Sequence, residues 1–435
     1  MSEESDLGLK RTLGFWALVA YGAGDIMGAG IYALMGEVAA VAGYYSWLAF
    51  AVAMLAAGIT ALSYSELVTR YPRSGGEAYY CEKGFRRKSI PTVIGWLVFC
   101  AGTLSLSAIS VAFAGYLSPF LPDVPKWVMV AGFLLFLGAI NFWGIRQSSI
   151  ANIVCTVIEA TGLLIVIVVG LVFLFGSPSP EAPASTSGSV GPFSLTEIMQ
   201  GGALAFFAFI GFQDMINIAE EVKEPEKIFP KAIISALLVA GSAYIVIALI
   251  ATQVVEPSVL GQSDAPLMRV VSEATGGNLE FLFTLIALFA VANTGLLNFI
   301  MASRLLYGMS NQKLVPEPLS RVSRRRRTPH FSIMVVLAAA LILSLSGTLA
   351  YLAGSTSTLL LVVFLMVNLA LLAIKRRQPD GRGGFRVPFL IPLLGVLTTA
   401  SLIAFAELSA LMTTLGLAAV GAALFCLRQV TASSS

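Results

Sequence analysis

Three carboxylates stand inside runs that are otherwise apolar: Asp25 in "YGAGDIMGAGIYAL" (21–34), Glu159 in "NIVCTVIEATGLLIVIVVG" (152–170) and Asp214 in "FFAFIGFQDMINIAEE" (206–221). A carboxyl group in a hydrocarbon setting has two uses, to carry a proton or to hold a cation, because an ionised one without a partner is too costly to keep. Glu159 is the clearest case, with no other charged residue from Ala151 to Gly176. Loss of water disfavours a carboxyl group's charged form, which suits proton carriage. Ionised, Glu159 would instead need a cation as partner. Asp25 reads as a second coupling carboxylate, and Asp214, at the start of a polar half-helix, as a cap or a gate.

No catalytic constellation accompanies them. Neither HExxH nor GxSxG occurs, and the single histidine, His330, follows Thr328 and Pro329 as an ordinary helix-end residue. The four cysteines, Cys81, Cys100, Cys155 and Cys426, form no CxxC pair; in apolar helices Cys behaves as a small hydrophobe. Disulfides, a metal site and a cofactor are therefore not expected, and neither is an enzyme.

The carboxylates sit beside breakable backbone. Gly28, Ala29 and Gly30 form a side-chain-poor triplet halfway along the first apolar run, where helix propensity is low and other groups can approach the backbone. Gly211 interrupts the run at 196–220 at a similar depth, followed by Gln213 and Asp214. A break in the first run exposes the amides of Ala29, Gly30 and Ile31 at a helix N-terminus, which favours an anion such as a carboxylate. Carbonyls freed at Met27, Phe207, Ala208 and Ile210 would face an ammonium group. One site then reads both ends of an α-amino acid. The competing reading is that the glycines only let helices pack closely, as small residues do in membranes.

These segments lie in a chain that is 57% hydrophobic and 12% charged, with a mean hydropathy of +0.85, far from the balance of a soluble domain. Twelve runs reach the roughly 20 residues a spanning helix needs, near 14–41, 45–68, 92–120, 125–143, 150–175, 196–220, 229–252, 278–308, 330–348, 352–374, 387–406 and 408–427. The first is too long for a signal peptide and is expected to remain a span. With both termini cytoplasmic, all Lys and Arg except Lys126 and Arg269 fall on the cytoplasmic side, as positive-inside sorting requires. The net charge of +3 thus reports topology in a lipid membrane, the run Arg324–Arg327 included, and no nucleic-acid partner is expected. A Pro/Ser/Gly-rich loop, 176–192, divides the first five spans from the next five. Paired interruptions in two such halves point to an inverted-repeat transporter rather than a channel.

Three segments also resemble the amino acid, polyamine and organocation (APC) transporter superfamily: "GDIMGAGIYAL" (24–34), "FFAFIGFQDMINIAEEVKEPEKIFPKAI" (206–233) and "YPRSGGEAYYCEKGF" (71–85). The resemblance implies an all-α fold of twelve transmembrane helices like that of the bacterial leucine transporter, with helices 1 and 6 broken. Residues 1–175 (tail and helices 1–5) and 196–374 (helices 6–10) would be inverted repeats, 176–195 an extracellular loop, and 375–435 two peripheral helices and a tail. It also implies a cytoplasmic gating part for "AEEVKEPEKIFPKAI" (219–233), which otherwise reads as a solvated ion-pair surface, and a side-chain pocket between helices 3, 6, 8 and 10. Proton-coupled members carry a lysine in helix 5; here a carboxylate, Glu159, stands in its place, which leaves proton coupling open beside sodium coupling, in which the resemblance implies a sodium ion held by Glu159, the carbonyls of Gly24 and Met27 and the hydroxyl of Thr294. The expected activity is secondary transport of a small, mostly apolar or neutral α-amino acid across the plasma membrane. The runner-up is a polyamine or small amine, drawn by Asp25 and Asp214.

Overall fold

The computed structural model describes residues 13–71, 76–87, 89–144, 149–176, 193–312, 314–323, 328–378 and 384–433. The start up to residue 12, the loop 177–192, Arg324–Arg327 and the basic residues Arg73, Lys88, Arg146, Lys313 and Arg382 lie outside the described residues.

The described chain is helical. In order it forms α1 (Phe15–Ile26), α2 (Ala29–Ala42), α3 (Ser46–Arg70), α4 (Gly76–Gly84), α5 (Ser89–Leu117), α6 (Lys126–Trp143), α7 (Ser149–Gly176) and α8 (Leu195–Ala205). After a 3-10 stretch, Phe206–Glu221, come α9 (Pro225–Val254), α10 (Pro257–Gly261), α11 (Pro266–Thr275), α12 (Glu280–Asn311), α13 (His330–Ser346), α14 (Leu349–Arg377), α15 (Leu390–Phe405) and α16 (Leu408–Ser433). The twelve apolar runs fall mainly on helical backbone, the first of them interrupted at Met27–Gly28. Nine helical stretches among the described residues are long and apolar enough to cross a membrane, and α13 and α15 are shorter apolar helices. One of the nine, Ala29–Arg70, has 42 residues. Straight, it would measure about 63 Å, twice the hydrocarbon thickness of a bilayer. It turns instead at Gly43, whose φ of 54° lies in the left-handed region that glycine enters without penalty.

Lipid explains the outer surface. On α7, Val157, Leu164, Val172 and Phe175 are exposed, a side that water would not tolerate over such a length. Enclosure runs from the inside out: 83% of the most apolar window of α5 is buried, against 17% for α16. Helix α5 is therefore central, and α16 lies at the rim.

Charge is placed at the ends. At the end carrying most of the basic residues, Glu66 of α3 is fully buried and pairs with Arg70 at 2.6 Å and with Lys375 of α14 at 2.6 Å. Its Oε2 also accepts the Val387 amide at 2.9 Å, while Lys375 donates to the Val387 carbonyl at 2.6 Å. One carboxylate thus ties α3 to the end of α14 and to the chain leading into α15. Removing one partner of a buried charge costs more than removing both, because the survivor stays desolvated. Lys375→Met is expected to destabilise the protein by less than the ~3–5 kcal/mol of a wholly orphaned charge, since Arg70 remains. Adding Glu66→Gln should deepen the loss, because it leaves Arg70, 3% exposed, without its counter-charge. Thermal unfolding in detergent checks this; a double variant more stable than the single one would refute it. At the opposite end, Lys126 and Arg269 sit on exposed ion pairs with Asp264 and Glu273, at 2.5 and 3.5 Å, where such pairs contribute little.

Candidate functional site

The first helix is interrupted where the glycine triplet lies. Helix α1 ends at Ile26, α2 begins at Ala29, and Gly28 between them has φ −63° and ψ −146°. The second interruption is placed differently from the sequence expectation: α geometry ends at Ala205, and the tighter 3-10 winding begins at Phe206, before Gly211 is reached. A 3-10 stretch of 16 residues is far longer than such helices usually run. Packing accounts for Gly211 instead. A Cβ there would lie 2.5 Å from the Asp25 carbonyl oxygen and 2.8 Å from the Ile26 amide, so glycine lets the end of α1 cross the 3-10 backbone directly.

A second crossing lies one step further on. A Cβ on Gly30 would stand 2.5 Å from the Ala208 Cα, and one on Gly28 would run into the Thr294 hydroxyl of α12. The two interruptions are thereby brought into contact at Asp25–Gly211 and at Gly30–Ala208. Just before α1, Leu13 bridges to Val222, just after the 3-10 stretch, with the Lys223 amide donating to the Leu13 carbonyl at 2.9 Å. The two segments are joined near both ends of their shared length.

Their backbone groups are partly used. The Ala29 amide donates to Thr294 Oγ1 at 2.9 Å, so Thr294, read as a sodium ligand, caps α2 here. Gly30 and Ile31 remain in the first turn, where no carbonyl four residues back belongs to the same helix. The buried hydroxyl of Tyr244, on α9, donates to the Ile26 carbonyl and lies 3.4 Å from that of Ala208. The sequence marks the span of Tyr244 but not the residue: a tyrosine in an apolar span, 218 residues from Ile26, carries no local signal. Met27, Phe207 and Ala208 are buried, and Ile210 is half-buried.

The three carboxylates converge on this region from three elements. Asp25 and Asp214 lie side by side, and one oxygen of each, Asp25 Oδ2 and Asp214 Oδ1, is buried without a hydrogen-bond partner among the described residues. Glu159 on α7 is 1% exposed; its Oε1 accepts from Asn293 of α12 at 2.9 Å, and its Oε2 has no hydrogen-bond partner among the described residues. Asn293 adjoins Thr294, so Glu159 reaches the same turn of α12 that caps α2. Gly24 packs against Thr156, one turn before Glu159 on α7. The Glu159 backbone carbonyl accepts from Tyr32 of α2 at 2.9 Å, and the Tyr32 carbonyl from Tyr116 of α5 at 2.9 Å.

Beside the interruptions lies a small cavity of about 10 Å³, lined from α5, the 3-10 stretch, α12 and α14. Its polar lining is Ser105, Gln213, Asn298 and Thr356, and its apolar lining includes Ile210 and Met301. Asn298 donates to the Thr294 carbonyl at 3.1 Å, linking cavity and cap. These four polar residues were not assigned from the sequence, because nothing in one chain says which faces of four distant helices converge. A wider hollow of about 240 Å³, with Glu37, Gln200 and Glu407 among its lining residues, opens between α2, α8, α14 and the turn before α16.

Other expectations fall outside the site. His330 opens α13, Cys81 and Cys100 are buried, and Cys426 is exposed. Among the described residues no group of His, Cys, Asp and Glu could hold a metal ion. In the segment after the 3-10 stretch, Lys227 and Glu224 form an exposed pair at 2.7 Å, and the lysine holds the Glu224 carboxyl below its ordinary range.

Residues 13–426 match the family model described as "Amino acid permease". The chain is 29% identical over 417 residues to the branched-chain amino acid permease BcaP of Bacillus subtilis, covering 89% of this chain and 86% of the relative. It is 27% identical over 415 residues to the methylthioribose transporter of the same organism, covering 90% and 86%. To the low-affinity putrescine importer PlaP of Escherichia coli it is 27% identical over 429 residues, covering 95% and 92%.

Proposed function

The chain belongs to the amino acid permease family of the APC superfamily, matched over residues 13–426, and on that premise we propose that it moves a small neutral α-amino acid across the plasma membrane by alternating access, coupled to protons through Glu159. It is a multi-pass membrane protein and a secondary transporter of small organic solutes, not an enzyme. The proposed architecture has twelve spans with both termini cytoplasmic. Helices 1–5 (1–175) and 6–10 (196–374) form inverted repeats, joined by an extracellular loop (176–195) and followed by two peripheral helices and a tail (375–435).

The observation that carries the reading is the meeting of the Met27–Gly28 interruption with the 3-10 stretch, next to a cavity lined by uncharged side chains. The amides of Gly30 and Ile31 would receive the substrate carboxylate. The carbonyls of Met27, Phe207, Ala208 and Ile210 would receive its ammonium, with the hydroxyl of Tyr244 giving way at Ala208. Glu159, with one oxygen unpartnered, would carry the proton. Sodium in the same place, held with Gly24, Met27 and Thr294, is the alternative coupling. Asp25 would be a second coupling carboxylate and Asp214 a gate.

A second substrate reading has its own support in the Asp25–Asp214 pair, which would attract an amine without a carboxylate, as the likeness to a putrescine importer suggests. The two readings separate in proteoliposomes by counterflow, in which a carrier exchanges labelled for unlabelled substrate and a channel only dissipates label. Amides facing an amine would leave donors unpaired at about 1–3 kcal/mol each, so serine is expected to exchange and ethanolamine to compete at least about fivefold less well. Equal competition by the decarboxylated amine would replace the amino acid reading with the amine one.

A further inference from the structure

We propose that Glu77, in the connection between the second and third spans, is the inner proton port of the transporter, passing protons between Asp214 and the cytoplasm. This rests on the proton-coupled, termini-inside reading above and adds the residue at its cytoplasmic end.

Glu77 lies in α4, within the connection from α3 to α5, yet it is only 8% exposed. A carboxyl group in a connecting segment has water at hand and no need of burial. Here it turns inward. The Tyr64 hydroxyl of α3 donates to Glu77 Oε1 at 3.3 Å. The Tyr64 ring meets Tyr80 of α4 edge-on at 6.1 Å and Phe212 of the 3-10 stretch at 5.8 Å. Phe212 stands two residues before Asp214, and Asp214 lies within range of the Glu77 charge as well as of Asp25. Two oxygens of this cluster have no partner among the described residues, Asp214 Oδ1 and the hydroxyl of the fully buried Tyr80. Buried polar atoms are nearly always satisfied, and those that are not call for a reason. A proton that comes and goes supplies one, since a carboxyl group that has taken it up becomes a donor.

The surroundings of Glu77 suit a group that titrates. Tyr64 of α3, Tyr80 and Cys81 of α4 and Asp214 of the 3-10 stretch face it, and none of them is a cation. Helices α5 and α14 also pack on α4, and among the described residues neither sets a positive charge against Glu77. Burial holds its carboxyl above the ordinary range, opposed by its own amide and by the Tyr64 hydroxyl. It can then take up and release a proton nearer to neutral pH than an exposed carboxylate does. In the transfer the Asp214 carboxyl becomes a carboxylate, the Glu77 carboxylate becomes a carboxyl, and water then takes the proton from Glu77.

The test is serine-driven proton entry into proteoliposomes loaded with the pH dye pyranine, with equal pH on both faces at the start and the voltage clamped by valinomycin and potassium. Glu77→Gln is expected to keep serine counterflow, which needs no net proton release, within about twofold while slowing proton entry at least about tenfold. Glu77→Asp, shorter but still titrating, should recover most of that rate. Tyr64→Phe removes a hydrogen bond that favours the charged form of Glu77, so the midpoint of the pH profile should rise by about one unit, a shift that a packing role would not produce. Proton entry unchanged in Glu77→Gln overturns the proposal, as does a Tyr64→Phe midpoint that stays where it is in the wild type. If Glu77→Gln fails to exchange serine or to yield monodisperse protein, the Tyr64→Phe midpoint decides alone. Failure of the proton-coupled reading looks different: the wild type then exchanges serine, but a serine gradient moves no protons.

Discussion

Glu159→Gln should abolish proton-driven accumulation while leaving substrate exchange intact. A gradient of one pH unit is worth about 1.4 kcal/mol per proton, so one-proton symport sustains about tenfold accumulation on the alkaline side. The carboxyl must load its proton facing the acidic side and release it facing the other, so wild-type uptake should rise as the external pH falls. An amide has the same size, and its oxygen still accepts from Asn293, which holds Glu159 at 2.9 Å, but it cannot release a proton. The variant should then equilibrate labelled substrate without concentrating it, and exchange should lose its dependence on the pH gradient. Accumulation in proteoliposomes, with valinomycin and potassium clamping the voltage, is the measurement. Unchanged accumulation by Glu159→Gln, or accumulation by the wild type that follows sodium at constant pH, would remove Glu159 from proton coupling.

That prediction rests on a residue legible in the sequence, and the contrast with its neighbours shows what composition can and cannot carry. A lone carboxylate in an apolar run announces itself, because its burial needs a reason. So does Gly28-Ala29-Gly30, since two glycines one residue apart weaken a helix, and α1 ends at Ile26. Gly211 misled by the same logic. It looked like a second break, but the change from α to 3-10 winding comes at Phe206, set by tertiary contacts to Asp25, Gly30 and Tyr244 that no local propensity reports. Helices α4, α10 and α11 were missed because they are short. Helix α11, Pro266–Thr275, has one apolar face and never reaches the length of a span. Partner residues were the least visible. Asn293, Gln213 and Asn298 look like isolated polar residues in apolar helices, and only the packing of α12 and α14 against the 3-10 stretch gives them a common purpose.

The glycines at the interruption admit a decisive comparison, because packing and substrate binding both demand them. A Cβ at Gly30 would meet the Ala208 backbone at 2.5 Å and its Cβ at 2.9 Å, atoms that cannot rotate away. Gly30→Val should therefore push α2 off the 3-10 stretch and reduce exchange by about a hundredfold or more, the upper end of an overpacking cost of roughly 1–3 kcal/mol. Gly28 differs, since its Cβ would meet a side chain, the Thr294 hydroxyl. In Gly28→Ala that hydroxyl can turn aside, but it then abandons the Ala29 amide, which it accepts from at 2.9 Å, at a cost of about 1 kcal/mol. Pairing Gly28→Ala with Thr294→Ala removes the steric conflict altogether. If the glycine serves packing alone, the double variant should exchange better than Gly28→Ala. If a carboxylate approaches the amides of Gly30 and Ile31 past Gly28, the new methyl group still occupies its path, and the double variant should stay as weak as the single one or weaker. The second outcome is expected. Full recovery of serine exchange in Gly28→Ala/Thr294→Ala would move the carboxylate site away from the start of α2.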